Sequence, residues 1–198
     1  MDQDDVESQG SLMAAEREIV DVEVHLAPMR RRHLRGVVRI ESQVYPRPWS
    51  HSLFVSELAL RSSRAYVVAR VGREVVGYAG LMMSMTDGHV TTIAVDPAWH
   101  RRGIGTRLLL TLAHEAIDRG ALAMTLEVRL SNRAAQEMYK RFGFNAVGVR
   151  KGYYADTGED ALVMWAYEIS EPPYGRLLAG IARGIRGTTE FDRLRGWS

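Results

Sequence analysis

Residues 89–129 constrain the fold more than any other part of this chain. The run opens on HVTTIAV, passes through an amphipathic stretch that ends at Gly120, and closes on ALAMTLEVR. Ile104, Leu108, Leu112 and Ala116 fall on one stripe of a helix expected over 103–119, with Gly120 placed to end it. The flanking segments read as strands, so the run is a βαβ crossover and brings a parallel pair into the sheet. Before it, AYVVARV, EVVGYAGLMM and HVTTIAV are separated by Gly72-Arg73 and Asp87-Gly88, the marks of an antiparallel meander with hairpin turns. A short strand, VHLAP, comes first. Helices are expected over 31–44 and, capped by Ser50, through about residue 60. After the crossover, SNRAAQEMYKRFGF is a capped helix stopped by Gly143, and two strands close near 144–153 and 161–167. The expected class is α/β, a mixed sheet flanked by helices around one crossover.

The 198 residues, 46% of them hydrophobic, suit one domain with appendages and a sizeable core. The absence of cysteine excludes disulfides, thiolate zinc sites and a cysteine nucleophile. No apolar run reaches the roughly 18 residues of a membrane span. The opening MDQDDVESQG is acidic where a secretory signal is basic, so a cytoplasmic protein is expected.

The net charge of +2 is unevenly spread. Residues 1–23 hold eight acids and one base, and 171–198 hold five arginines and three acids. The middle therefore carries twenty bases against thirteen acids. Residues 1–23 lack apolar periodicity and read as a disordered leader. Residues 24–170 read as the folded domain. Residues 171–198 read as a loose basic tail, set apart by Pro172-Pro173 and weakened as a helix by Gly180, Gly184 and Gly187. The basic surplus of the middle suits a nucleic acid or a phosphorylated cofactor, and equally a solvated surface.

Between strand and helix stands His100-Arg101-Arg102-Gly103-Ile104-Gly105. Glycines let backbone approach oxygens, free amides at a helix start favour anions, and arginines bind phosphate. A P-loop needs Gly-Lys-Ser/Thr, and this turn has no lysine. A dinucleotide fingerprint needs a third glycine where Leu108 stands. The turn is thus a cradle for a different phosphate ligand, or a glycine cap beside two solvated arginines. Along ALAMTLEVR, Ala123, Thr125, Glu127 and Arg129 share the face opposite Leu122, Met124, Leu126 and Val128. A carboxylate at Glu127 is costly without a purpose, and the period allows either a proton acceptor or a salt bridge to Arg129 or a nearby arginine.

VTTIAVDPAWHRRGIGTRLL, LEVRLSNRAAQEMYKRFGF and KGYYADTGEDALVM together resemble the GNAT acyltransferase superfamily. Within it they resemble the RimI-type N-terminal acetyltransferases that modify a ribosomal protein. The resemblance covers about residues 24–170 and implies the GNAT fold, a mostly antiparallel twisted sheet. His100 stands where the family turn has Gln or Arg. The resemblance implies acetyl-CoA as donor, its diphosphate on Arg101, Arg102, Gly103, Ile104, Gly105 and Thr106. The pantetheine arm then lies along Ile93, Ala94 and Val95, whose amides are placed to steady an oxyanion. It makes Glu127 the acceptor of a proton from the substrate ammonium, directly or through a water. Tyr139 becomes the proton donor to departing CoA. Asn132 matches a cofactor contact and also suits a plain N-cap.

YPRPWS and KGYYADTGED resemble the two loops that flank the acceptor groove, so Trp49, Tyr153 and Tyr154 are either substrate contacts or core aromatics. No nucleophilic side chain is required. The six histidines are scattered without a His-x-x-x-His pair, so they read as mostly surface residues and no metal is expected. The implied reaction is acetylation of a protein N-terminal alanine, on a small-subunit ribosomal protein. A lysine or small-amine acceptor, and a non-catalytic CoA-binding or RNA-associated module, are the rival readings. No membrane span and no direct readout of nucleic acid are expected.

Overall fold

The structure, a computed structural model, describes residues 21–192. Strand β1 (Val24–Pro28) leads through a 3₁₀ turn at Arg31–His33 into α1 (Leu34–Val44) and α2 (His51–Ala59). The hydroxyl of Ser50 caps α2 by accepting the Leu53 amide at 3.2 Å. The meander follows as β2 (Arg64–Val71), β3 (Glu74–Ser84) and β4 (Asp87–Val95). Then come α3 (Ile104–Asp118), β5 (Ala123–Arg129), α4 (Arg133–Arg141), β6 (Asn145–Tyr154) and β7 (Glu159–Tyr167). Two further elements, α5 (Pro172–Arg183) and β8 (Thr189–Phe191), end the described chain. The strands form one sheet in the order β6-β7-β5-β4-β3-β2-β1-β8. Among the described strands only β4 with β5 and β1 with β8 run parallel. No helix among the described residues is long and apolar enough to cross a membrane.

Each face of the sheet buries its own core. On one side Leu108, Leu109 and Leu112 of α3 pack with Met124, Leu126 and Phe142. On the other, Leu34, Val37 and Ile40 of α1 meet Phe54, Tyr66 and Tyr78. β4 serves both cores because a bulge at Thr91, between the pairs Leu81–Val90 and Gly80–Thr92, flips its faces. Val90 therefore joins the first core and Ala94 the second.

Two expectations need correction. Asp87-Gly88 is not the hairpin turn: Ser84 pairs with Asp87, leaving Met85-Thr86 as the loop, with Met85 at φ 53° and 98% exposed. Gly88 is needed inside the strand, where an added Cβ would lie 3.1 Å from Ala116 of α3. The segment after residue 170 is not loose within the described residues. Pro172 and Pro173 start α5 rather than separating it, since a first helical turn needs no amide hydrogen and proline presets φ. Tyr174 and Leu178 are buried in the first core, and β8 extends the sheet beside β1. His25 sits between Glu23 and Glu190 at 2.8 and 3.3 Å and ties the two strands. Gly187, at φ 76°, lets this connection press on Val22, where any Cβ would be 2.4 Å from the Val22 carbonyl. Val22 itself joins the core. The rest of the expected leader, residues 1–20, and residues 193–198 lie outside the described residues.

Candidate functional site

β4 and β5 pair only at Asp87–Ala123, Gly88–Met124 and His89–Thr125, and then diverge. The divergence opens a cleft of about 1130 Å³. The Asp96 amide bonds the Val76 carbonyl, so by the alternation of an antiparallel ladder Ala94 also bonds toward β3. Ile93 and Val95 therefore direct their amides and carbonyls the other way, where no strand stands opposite. Their carbonyls already accept from the Tyr45 hydroxyl at 3.0 Å and the His100 ring at 3.0 Å. Their amides remain available to an extended ligand. His100 thus closes the strand end, which defines its place in the turn.

The start of α3 forms the next wall, and Arg101 to Thr106 all line the cleft. Gly103 is the N-cap at φ 71° and offers no side chain to the first-turn amides, so these are left for an anion. Arg101 is held in the left-handed region at φ 60°. Arg102 lies over Trp99, 5.1 Å from the ring centre. Neither arginine has an ion pair among the described residues. Gly105 faces Met138 and Val95, where an added Cβ would sit 3.4 and 3.8 Å away and take up space in the cradle. A phosphate group fits this turn.

Glu127 lines the cleft from β5 and is held from two sides. Its carboxylate accepts from His89 at 2.7 Å and from Arg150 at 2.7 Å. Burial alone would raise its pKa, but the two partners outweigh burial and keep the carboxyl below the ordinary range. Tyr139, on α4, is buried and lines the same cleft. Burial, with the nearby Tyr45 and Tyr154 hydroxyls, raises its pKa and keeps the phenol protonated. Asn132 also lines the cleft and caps α4 by accepting the Ala135 amide at 3.1 Å.

The far wall holds Trp49, Tyr153 and Tyr154. Arg129 fixes that loop by pairing with Asp156 at 2.7 Å and Glu159 at 3.1 Å while lying 3.9 Å over the Tyr154 ring. Trp49 packs on Phe54, and its amide donates to Glu41. All fifteen site residues named from the sequence line this one cleft.

The sequence reading missed Glu41, Tyr45, His89 and Arg150. Glu41 is 3% exposed, and its Oε1 accepts the Trp49 amide at 2.9 Å. Its Oε2 is buried without a partner among the described residues. Burial, offset only by that amide, pushes the carboxyl up to about 7. A signal existed, since Glu41 continues the Leu34, Val37 and Ile40 stripe of α1 as a carboxylate among apolar residues. His89 had none, because only the β4–β5 pairing sets it against Glu127. Of the histidines read as mostly surface, His33 is buried, at 6% exposed, and His89 is half-buried against Glu127.

Comparison with known proteins agrees with this geometry. A profile of the acetyltransferase (GNAT) family matches residues 34–144. The N-alpha-acetyltransferase RimI of Mycobacterium tuberculosis is 40% identical over 147 residues, which are 71% of this chain and 90% of that protein. The ribosomal protein bS18-alanine N-acetyltransferase of Escherichia coli K12 is 34% identical over 133 residues, 66% of this chain and 88% of its own. The crystal structure of the Escherichia coli ribosomal-protein-S18-alanine N-acetyltransferase superposes with a TM-score of 0.66 at 30% identity, covering 73% of this chain and 94% of that one.

Proposed function

The chain belongs to the GNAT acetyltransferase family, and on that footing we propose that it acetylates the α-amino group of a protein N-terminus, an alanine of a small-subunit ribosomal protein. The observation that carries this reading is the divergence of β4 from β5, which opens the Ile93 and Val95 amides, the α3 turn, Glu127 and Tyr139 onto one cleft.

Acetyl-CoA supplies an activated thioester carbonyl. Arg101, Arg102 and the first amides of α3 hold its diphosphate, and the edge of β4 holds its pantetheine arm as it would a strand. An amide of Ile93 or Val95 donates to the carbonyl oxygen as negative charge gathers there. The substrate ammonium enters between Trp49 and the Tyr153–Tyr154 loop and meets Glu41, whose unpaired oxygen offers it a counter-charge. Glu127 takes the proton that frees the amine. The amine nitrogen bonds to the carbonyl carbon, and the carbon–sulfur bond breaks. Tyr139 gives its proton to the departing sulfur and regains one from the nitrogen as that becomes the amide, and the proton on Glu127 passes to solvent. His89 and Arg150 keep Glu127 ionised before each turnover. A ribosomal-protein substrate supports a cytoplasmic setting for this activity.

The test is acetyl transfer from acetyl-CoA to a peptide panel that varies only the first residue, read by mass spectrometry, with N-terminally blocked peptides as controls. Acetylation confined to free α-amines and fastest at alanine is expected. Transfer to lysine side chains of blocked peptides would instead support the small-amine reading.

A further inference from the structure

α5 and the turn after it lie beyond the residues matched by the family profile, yet they border the same cleft. Gly180, Ile181, Gly184, Ile185 and Arg186 all line it. Ile185 reaches the diphosphate turn itself, its Cγ2 lying 3.7 Å from where a Cβ on Gly103 would stand. The Arg107 side chain, 1% exposed, holds the two walls together. It donates to the Arg102 carbonyl at 3.1 Å, to the Arg186 carbonyl at 2.5 Å and to the Thr189 hydroxyl at 2.8 Å. The C-terminal wall is therefore fixed at a set distance from the turn.

The cleft side of that wall is open. A Cβ on Gly184 would meet only carbonyls of its own helix, Ile181 at 3.5 Å and Gly180 at 3.8 Å. Five arginines border the cleft without an ion pair among the described residues: Arg47, Arg101, Arg102, Arg141 and Arg186. Asp21, which also lines it, pairs with none of them. Glu127 and Asp156 are already committed to Arg150 and Arg129. A diphosphate engages Arg101 and Arg102 and leaves further positive charge unanswered. Coenzyme A carries a third phosphate, on the ribose 3′ oxygen.

We propose that α5 and the Gly184–Arg186 turn form an added wall of the coenzyme site, with Arg186 binding the ribose 3′-phosphate and Ile181 and Ile185 packing on the adenosine. The proposal rests on the acetyl-CoA reading and deepens it.

Titration calorimetry of the full chain with coenzyme A and with 3′-dephospho-coenzyme A tests it. The wild type is expected to bind coenzyme A more tightly. Arg186→Ala should weaken coenzyme A by about 10-fold, the scale of one charge-assisted bond, and leave dephospho-coenzyme A within about 2-fold. Gly184→Leu, which fills the open side at a residue with ordinary φ of −82°, should weaken both by about 10-fold with the melting temperature kept. Equal losses for both ligands in Arg186→Ala would overturn the 3′-phosphate assignment. Wild-type or tighter binding in both variants would place α5 outside the site. Binding of neither ligand by the wild type would overturn the acetyltransferase reading itself, while Arg101→Ala/Arg102→Ala should weaken both ligands whatever α5 does.

Discussion

Glu127 and Glu41 border the cleft in opposite states, and the difference lies in their partners. Glu127 has a histidine and an arginine, so its charge is stabilised and its pKa falls. Glu41 has one amide and one orphaned oxygen, so burial wins and its pKa rises to about 7. Glu127→Gln keeps the shape and removes the acceptor, so kcat should fall roughly 10²–10⁴-fold while the Kd for acetyl-CoA, read by calorimetry, is kept. Glu41→Gln should instead raise KM for the peptide and abolish a rise in kcat/KM centred near pH 7. The same substitution has a stability signature. The folded Glu41 carboxyl binds its proton more tightly than the unfolded one, whose pKa is near 4.5. Its contribution is thus intact below pH 4.5 and lost as pH rises through 7. Glu41→Gln should be more stable than wild type at pH 8, by on the order of 3 kcal/mol, and equal to it near pH 4.5. Urea unfolding at the two pH values measures this, and equal stabilities at pH 8 would mean that Glu41 is not a strained carboxylate.

Among the elements, α3 does two tasks. Its uncapped start is the proposed seat of the diphosphate, and its buried Arg107 secures the last described strand. No carboxylate neutralises that arginine among the described residues. Carbonyls and a hydroxyl satisfy it instead, so its removal would orphan several acceptors at once. Arg107→Met should cost roughly 2–4 kcal/mol, read as a melting-temperature fall of roughly 5–15 °C. Acetyl-CoA binding should weaken with it, because the Arg102 carbonyl loses its tether. A variant with both properties unchanged would show that the α3 start and the β8 connection are independent.

For the whole molecule, the C-terminal segment is part of the sheet and of one core. Removing residues 171–198 uncovers the partners of Tyr174 and Leu178 and strips β1 of its parallel neighbour. At about 2 kcal/mol for each buried side chain, the melting temperature should fall by roughly 10 °C or more. Differential scanning calorimetry checks it, and a fall of only a degree or two would return this segment to the role of a tail.

Much of the molecule was legible because its signals are local. The stripe on α3, the alternation in β5, the Ser50 and Asn132 caps and the glycines ending helices each depend on residues within a turn or two. The proposed phosphate turn could be read for the same reason, since Arg101, Arg102, Gly103 and Gly105 are neighbours in sequence. What tertiary structure alone decided involves partners far apart along the chain. Helix propensity argued against α5, and the burial of Tyr174 and Leu178 outweighed it. The pairing of His89 with Glu127 spans 38 residues, and that of Arg150 with Glu127 spans 23. Local pattern sets which way a side chain points, but only the packed sheet sets what it meets, and the state of each carboxylate follows from what it meets.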